Sequence, residues 1–463
     1  LNVSQHHPFP FDRTKHMSKT RYAGLMMLES EAPLHLYAEL LPNIRQITTY
    51  VSLPESAAFD EIRPNVQLSE SRKAITVSLP APFQDIIETI KLPARASYPS
   101  KRDLETQGAN RIVKTSGGNR EFSLRVHVDD NDEVLAPRDE LIDDFVPWTA
   151  DKMSGSTRIR CRHCDQHFLG SLSASTSTSD QNEENNESWI WKDLPSGNWA
   201  EMMDFWHCHK PDPHEGHEKD EKETALRIED ETAHTKGYGA DSQVVAISGT
   251  VLVDVATFLL AESDCIGLEK GNDEEQKSNT EYSADRTLDC TKCRSIIGME
   301  DPVANGWRLL KASVSLNTKQ DFESSSPQWE SHPTEVIVAA QLLELIERES
   351  ARRFVVHCGQ KNGLVLWVFN PDMRYSNLSA DHSVMAQQAM KVFFQDTADV
   401  DGLLHPEIGN PSPLSVEEVE LPSMIFEAME KALRDSNAML PVSARKFQEW
   451  HVGLLSRFNR GPV

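Results

Sequence analysis

Two segments of the chain have the residue type and spacing of metal ligands: Cys161-Arg162-His163-Cys164 and Cys290-Thr291-Lys292-Cys293. Each C-x2-C pair is followed by a short apolar stretch and a glycine, Gly170 in the first case and Gly298 in the second. A turn of this kind presents two thiolates on one side. Two such turns can complete a tetrahedral four-thiolate site, the arrangement zinc takes in structural centres. Cys161, Cys164, Cys290 and Cys293 are therefore expected to share one structural zinc. Between Cys164 and Cys290 lie 125 residues, far more than a compact zinc ribbon needs, so whole elements must be inserted between the halves of the site. Two redox pairs are the competing reading. A thioredoxin-like C-x2-C opens a helix after a strand in a βαβ unit, and neither segment has that setting. A rival ligand set replaces one pair with Cys208 and either His207 or His209, and the sequence leaves it open.

Cys208 lies in the run from Trp206 through His207, Cys208 and His209 to the Pro211-Asp212-Pro213 exit. A cysteine between two histidines suits an exposed metal-binding or nucleophilic loop, because an imidazolium or a metal favours the thiolate. A surface loop with an incidental cysteine explains the same residues equally well. Cys265 and Cys358 have apolar or hairpin settings and read as inert packing residues. The acidic run from Asp129 to Glu133 lacks the ligand ladder and the glycine of an EF-hand, so it reads as a solvated turn.

The elements that must position these residues belong to a chain of 463 residues with a formal net charge of −25 and 38% hydrophobic residues. Its length calls for more than one core, and its low apolar content for long loops. The charge repels phosphate backbones, which disfavours direct nucleic-acid binding and fits a basic protein partner or simple solubility. Seven cysteines, an odd number with four of them in C-x2-C pairs, describe thiolate chemistry in a reducing compartment and not a disulfide framework; the localisation expected is cytoplasm and nucleus. Leu1 to Thr20 is polar and His-rich, without the apolar centre of a signal peptide. The most apolar stretch, Val244 to Ala261, is broken by Ser248, Gly249 and Asp254. It reads as a buried strand running into a helix and not as a membrane span, so a soluble chain is expected.

The fold expected is α+β in three parts. Residues 20–150 form a β-rich, antiparallel sandwich-like domain, with strand composition at Leu34–Tyr37, Ile47–Val51, Ala74–Leu79 and Phe122–Val128. Residues 151–300 form a zinc-knuckle and partner-binding region with disordered insertions at Ser171–Ser188 and Asp212–Lys236 and a further polar tract at Glu269–Asp285. Residues 301–463 form an α+β domain. There Trp307–Val314 reads as a strand, Glu335–Ala351 and Leu421–Arg434 as helices, and Arg353–His357 with Leu364–Phe369 as a hairpin. A last helix containing Phe447, Trp450, Leu454 and Leu455 follows Pro441.

The order of motifs resembles a known family. Cys161-x2-Cys164 is followed by Leu194-Pro195-Ser196-Gly197-Asn198-Trp199, then by the Trp206 to Pro213 run, then by Cys290-x2-Cys293 and Gly298. This is similar to the HECT-like ubiquitin-protein ligases, also described as ubiquitin-conjugating-enzyme-binding proteins. The resemblance implies binding of a ubiquitin-conjugating enzyme and promotion of ubiquitin transfer to substrates, a ligase or ligase-cofactor role. It also implies association with the metallo-β-lactamase-type endonuclease of pre-mRNA 3′-end processing. On that reading Trp206, Cys208, His209, Asn198 and Trp199 form a partner-binding element, with Cys208 meeting the partner's zinc. The alternative function is a non-enzymatic chaperone or inhibitor of that endonuclease. A true HECT ligase passes ubiquitin through a cysteine thioester. The C-terminal third holds only Cys358, and no catalytic residue presents itself.

Overall fold

Short apolar runs near the start of the chain become strands. The computed structural model describes residues 34–54, 62–107, 112–115, 120–132, 142–170, 188–194, 244–271, 286–318, 328–359, 361–378, 386–406 and 416–458. Strands β1 (His35–Leu41) and β2 (Gln46–Ser52) pair in antiparallel register, with the left-handed Arg45 (φ 49°) in the connection. Strands β3 (Asn65–Leu68), β4 (Ala74–Ser78) and β5 (Ile87–Lys91) form a separate antiparallel sheet, in which Ile75 and Val77 point inward and Thr76 between them does not. Helix α1 (Tyr98–Gln107) and the short β6 (Val113–Lys114) precede β7 (Glu121–His127), which pairs with β2. Ile47, Val51, Leu124 and Val126 meet Val66, Ile75, Val77 and Ile90 in one core between the two sheets. The acidic turn after β7 is tied down by cationic and amide groups: Asp129 pairs with Arg72 at 2.8 Å, and the Arg95 amide donates to Asp132 at 2.6 Å.

The middle of the chain is almost entirely short strands: β8 (Arg158–Cys161), β9 (Ile190–Asp193), β10 (Thr250–Val253), β11 (Thr257–Leu260), β12 (Leu268–Lys270), β13 (Thr287–Cys290), β14 (Ile296–Asp301), β15 (Gly306–Leu310) and β16 (Val314–Asn317). Seven of them run β12-β13-β14-β15-β11-β10-β9 in one sheet, while β8 and β16 form a two-stranded sheet. The stretch Val244–Ala261 corrects the sequence reading. It contains two strands, β10 and β11, paired with each other across Asp254–Ala256, and no helix. Both strands are buried throughout and also pair outward, with β9 and with β15. Those ladders hold the segment extended. The expected strand Trp307–Val314 is likewise split into β15 and β16 by a 3-10 turn at Lys311–Ser313.

Helix α2 (Thr334–Glu349) buries Val336, Ala339, Leu342 and Leu343 at helical spacing and ends at Ser350 in the left-handed region (φ 54°). Strand β17 (Arg353–His357) pairs with β18 (Gly363–Asn377) as the expected hairpin, and β19 (Gln387–Thr397), β20 (Glu417–Glu420) and helix α3 (Ser423–Met439) follow. The last element differs from expectation. Phe447 and Trp450 to Leu455 lie in strands β21 (Lys446–Phe447) and β22 (Trp450–Ser456), not in a helix. Their apolar spacing satisfies a helical stripe. Six residue pairs between β19 and β22, from Ala389↔Ser456 to Phe394↔His451, decide for the strand. The main sheet runs β21-β22-β19-β18-β1-β2-β7-β6, with β17 also on β18 and β20 on β17. Because β1 pairs with β18 (Tyr37↔Asn377), residues from both ends of the chain share this sheet. Helices α2 and α3 cover one face of it, over Phe354, Val356, Leu364, Leu366, Val392 and Phe394.

Lys311 joins this helical layer to the strand-rich middle. Its neighbour Ala312 packs in the α2–α3 core, and its own side chain is fully buried. The amine donates to the carbonyls of Pro147 (2.8 Å) and Trp148 (3.2 Å) and lies 5.2 Å from the Phe258 ring centre. These contacts, together with Asp254 and Asp193, favour the ammonium form, but burial outweighs them and brings the pKa from 10.5 down to about 7. Between pH 7 and 10.5 the unfolded lysine is protonated and the folded one largely is not, so the unfolded state binds more protons and stability rises with pH. Urea denaturation from pH 7 to 9 is expected to show this rise in the wild type and its loss in Lys311→Met. Parallel stability–pH curves for the two proteins would contradict it.

Candidate metal centre

The two C-x2-C turns are local copies of each other. Strand β8 ends on Cys161 and β13 ends on Cys290, so each first cysteine is fixed by a ladder. In the first turn the Asp165 amide donates to the Cys161 carbonyl (3.2 Å) and the Cys161 amide to the Gln166 carbonyl (2.7 Å). In the second the Arg294 amide donates to the Cys290 carbonyl (2.8 Å) and the Cys290 amide to the Ser295 carbonyl (2.9 Å). The residue after each second cysteine, Asp165 or Arg294, is left-handed with φ 62°. The sequence spacing gives the turns, but not this shared left-handed closure.

Separate contacts bring the two turns together. The Thr291 amide donates to the Gly267 carbonyl at 3.0 Å, and Lys292 reaches the Cys164 carbonyl at 2.9 Å. Gly267 is left-handed (φ 66°), and a side chain there would collide with Gln166. The two glycines picked out in the sequence also sit against neighbouring backbone. A Cβ on Gly298 would lie 2.1 Å from the Arg308 carbonyl oxygen, so β14 and β15 can approach only because residue 298 is glycine. A Cβ on Gly170 would lie 3.3 Å from the Asp264 carbonyl oxygen, a tight but smaller demand.

The result is one cluster. The Sγ atoms of Cys161, Cys164, Cys290 and Cys293 all lie within 4.8 Å of one another. Cys161 and Cys293 are 3.6 Å apart and Cys164 and Cys290 3.5 Å, too far for disulfides, and all four cysteines are free. A tetrahedral ion with metal–sulfur bonds of ~2.3 Å sets sulfurs roughly 3.8 Å apart, so the donor set fits a metal ion. Cys161 and Cys290 are buried, Cys164 and Cys293 half-buried. The thiols differ in acidity. Burial pushes the Cys161 thiol up to about 12 and raises Cys164. The Ser295 hydroxyl, then its amide and the neighbouring thiols, hold Cys293 down to about 6. A bound cation makes the fully deprotonated set favourable. The supporting residues Gln166 and Ser295, each two positions after a second cysteine, were not identified from sequence, although their equal spacing was the available signal.

Cys265 stands beside the cluster region but belongs to none of these contacts. Burial pushes its thiol up to about 12, and the sulfur lies 3.6 Å from the Ala261 carbonyl oxygen. The predicted partner-binding residues Asn198, Trp199, Trp206, Cys208 and His209 lie outside the described residues, as do the expected insertion Asp212–Lys236 and all of the expected insertion Ser171–Ser188 except Ser188.

Comparison with known proteins places the chain. Residues 39–452 match the model of the HECT-like ubiquitin-conjugating enzyme (E2)-binding family. The chain belongs to that family. It is 25% identical over 328 residues to an uncharacterized protein of Schizosaccharomyces pombe, covering 68% of this chain and 78% of that protein. It is 23% identical over 312 residues to an uncharacterized protein of Saccharomyces cerevisiae, covering 67% of this chain and 72% of that one. No solved structure matches the chain.

The cluster predicts that the purified protein carries one metal ion per chain. Cys290→Ser, which removes a buried ligand, is expected to lose that ion and to melt at a lower temperature. Elemental analysis alongside a thermal melt checks both. A wild type free of metal, or a variant that keeps its full complement, would contradict the assignment.

Proposed function

We propose that this protein binds a ubiquitin-conjugating enzyme and promotes ubiquitin transfer to protein substrates by positioning the loaded enzyme, without forming a thioester of its own. The observation that carries this reading is membership, across residues 39–452, in a family defined by binding that enzyme. The chemistry of the cysteines supports the scaffold mechanism. A thioester nucleophile needs an accessible, activated thiolate. Cys161, Cys164, Cys290 and Cys293 are held in one cluster. Burial raises the Cys358 thiol, and the carboxylates of Glu427, Glu420 and Glu430 add to the shift, the reverse of activation. Holding a loaded enzyme and an acceptor amine in reach of each other accelerates transfer without covalent chemistry by the scaffold.

The metal is proposed to be zinc. Four thiolates in a closed set are the donors of structural zinc sites, and the cysteine usage fits a reducing compartment, cytoplasm or nucleus. A second proposal concerns Cys208. The four-cysteine set reaches tetrahedral number without it, which supports the reading that Cys208 and His209 face a metal held by a partner. That partner is the metallo-β-lactamase-type endonuclease of pre-mRNA 3′-end processing. A thiolate is a better zinc(II) ligand than water and would occupy an open coordination position. Cys208→Ser is then expected to lose the endonuclease while keeping its own metal.

Discharge of thioester-linked ubiquitin from a conjugating enzyme to free lysine tests the main reading. The wild type is expected to accelerate discharge, and Cys358→Ser to do so equally. A thiol-labile ubiquitin adduct on the chain, or no acceleration with any conjugating enzyme, would overturn it.

A further inference from the structure

Strands β18 and β19 bury one face under the helices and turn alternate residues to the other. On that second face Trp367 sits opposite Phe393, and Phe447 opposite Trp450 at the sheet edge. With Phe369 they form one cluster. Phe369 stacks on Phe393 at 4.8 Å and 17°, and Phe393 on Phe447 at 5.0 Å and 19°. Trp367 meets Phe393 edge-on at 5.3 Å, Phe369 at 6.0 Å and Trp450 at 6.2 Å. Farther along the hairpin the same face is closed over Met373, Tyr375 and Leu454 by Leu440. At the aromatic end it is not. Phe393 is 3% exposed, but Phe369 and Phe447 are exposed at 49% and 44%. Two half-exposed phenylalanines stacked on either side of a buried one exceed what a core needs.

We propose that this aromatic face is where the ubiquitin-conjugating enzyme docks, receiving an apolar loop flanked by lysine or arginine. The proposal rests on the binding role argued above. Its chemistry follows from the rim. Arg353 already lies over the Trp367 ring at 4.9 Å, showing that these π faces accept a cation. Glu418, whose side chain is 51% exposed and is hydrogen-bonded to His357 at 2.8 Å, stands on the β17–β20 flank, and the exposed Glu449 stands on the β21–β22 turn. Aromatic faces between carboxylates complement a basic, apolar surface. A second copy of this chain is disfavoured on the same ground, since it brings a further net charge of −25. All five rings lie within the residues 39–452 that match the family.

The test uses the full chain with its metal and a panel of purified ubiquitin-conjugating enzymes, taking forward the one that binds the wild type most tightly. Phe369→Ser with Phe447→Ser is expected to weaken that binding at least tenfold while the protein stays folded and keeps its metal, with a lower melting temperature from the lost stacking on Phe393. Phe447→Lys, a single change at an exposed ring that adds charge of the wrong sign, is expected to weaken it as well, and added salt to weaken the wild-type complex. If both variants bind like the wild type, the docking face is wrong while the binding role stands. If the wild type binds no member of the panel, the role fails and takes the face with it. Concentration-dependent dimerisation of the wild type that the double variant loses would assign the face to a second copy instead.

Discussion

Four cysteine sulfurs held within 4.8 Å of one another are costly to ionise unless a cation sits among them. The strands of the middle region converge on that set and place it where a metal ion would fit. Cys161 ends β8 and Cys290 ends β13, so the cluster links the small β8–β16 sheet to the seven-stranded sheet at the point where both strands stop. Everything between residues 164 and 290 is inserted into a loop whose two ends the cluster holds. Closing a loop of that length costs little more entropy than closing a short one. Long insertions there are therefore compatible with a well-formed site.

The main sheet imposes a second closure. The family match begins in β1 and ends in β22, and both strands lie in this sheet, separated only by β18 and β19. The matched span thus opens and closes in one sheet, with the four-cysteine module inserted between those strands in sequence. Lys311 and the 3-10 turn carrying it connect the two, donating to the carbonyls of Pro147 and Trp148 from a fully buried position.

Local pattern made much of this legible in the sequence. Period-two alternation marks β4, and a 3.6-residue stripe marks α2. The C-x2-C spacing with its following glycines marked the ligand turns, and Gly298 proved to be required by the approach of β15. What was not legible is non-local. The residues Phe447, Trp450, Leu454 and Leu455 have spacing that fits a helix as well as a strand, and only pairing with β19 decides. Nothing in β1 announces that its partner is β18, more than 300 residues away. The aromatic face is hidden for the same reason. Trp367, Phe393 and Phe447 are scattered in the chain and become one surface only through cross-strand register. Lys311 reads as an ordinary surface lysine until its burial is seen.

The central claim is that one metal ion bound by four thiolates from two distant turns holds the middle of this protein together. X-ray absorption at the metal edge of the purified full chain tests it most directly, because the first coordination shell reports ligand type and number without relying on activity. The account predicts four sulfur neighbours at ~2.3 Å and no nitrogen. A mixed shell with imidazole nitrogen would mean that a histidine takes the place of one of the four cysteines and would contradict it.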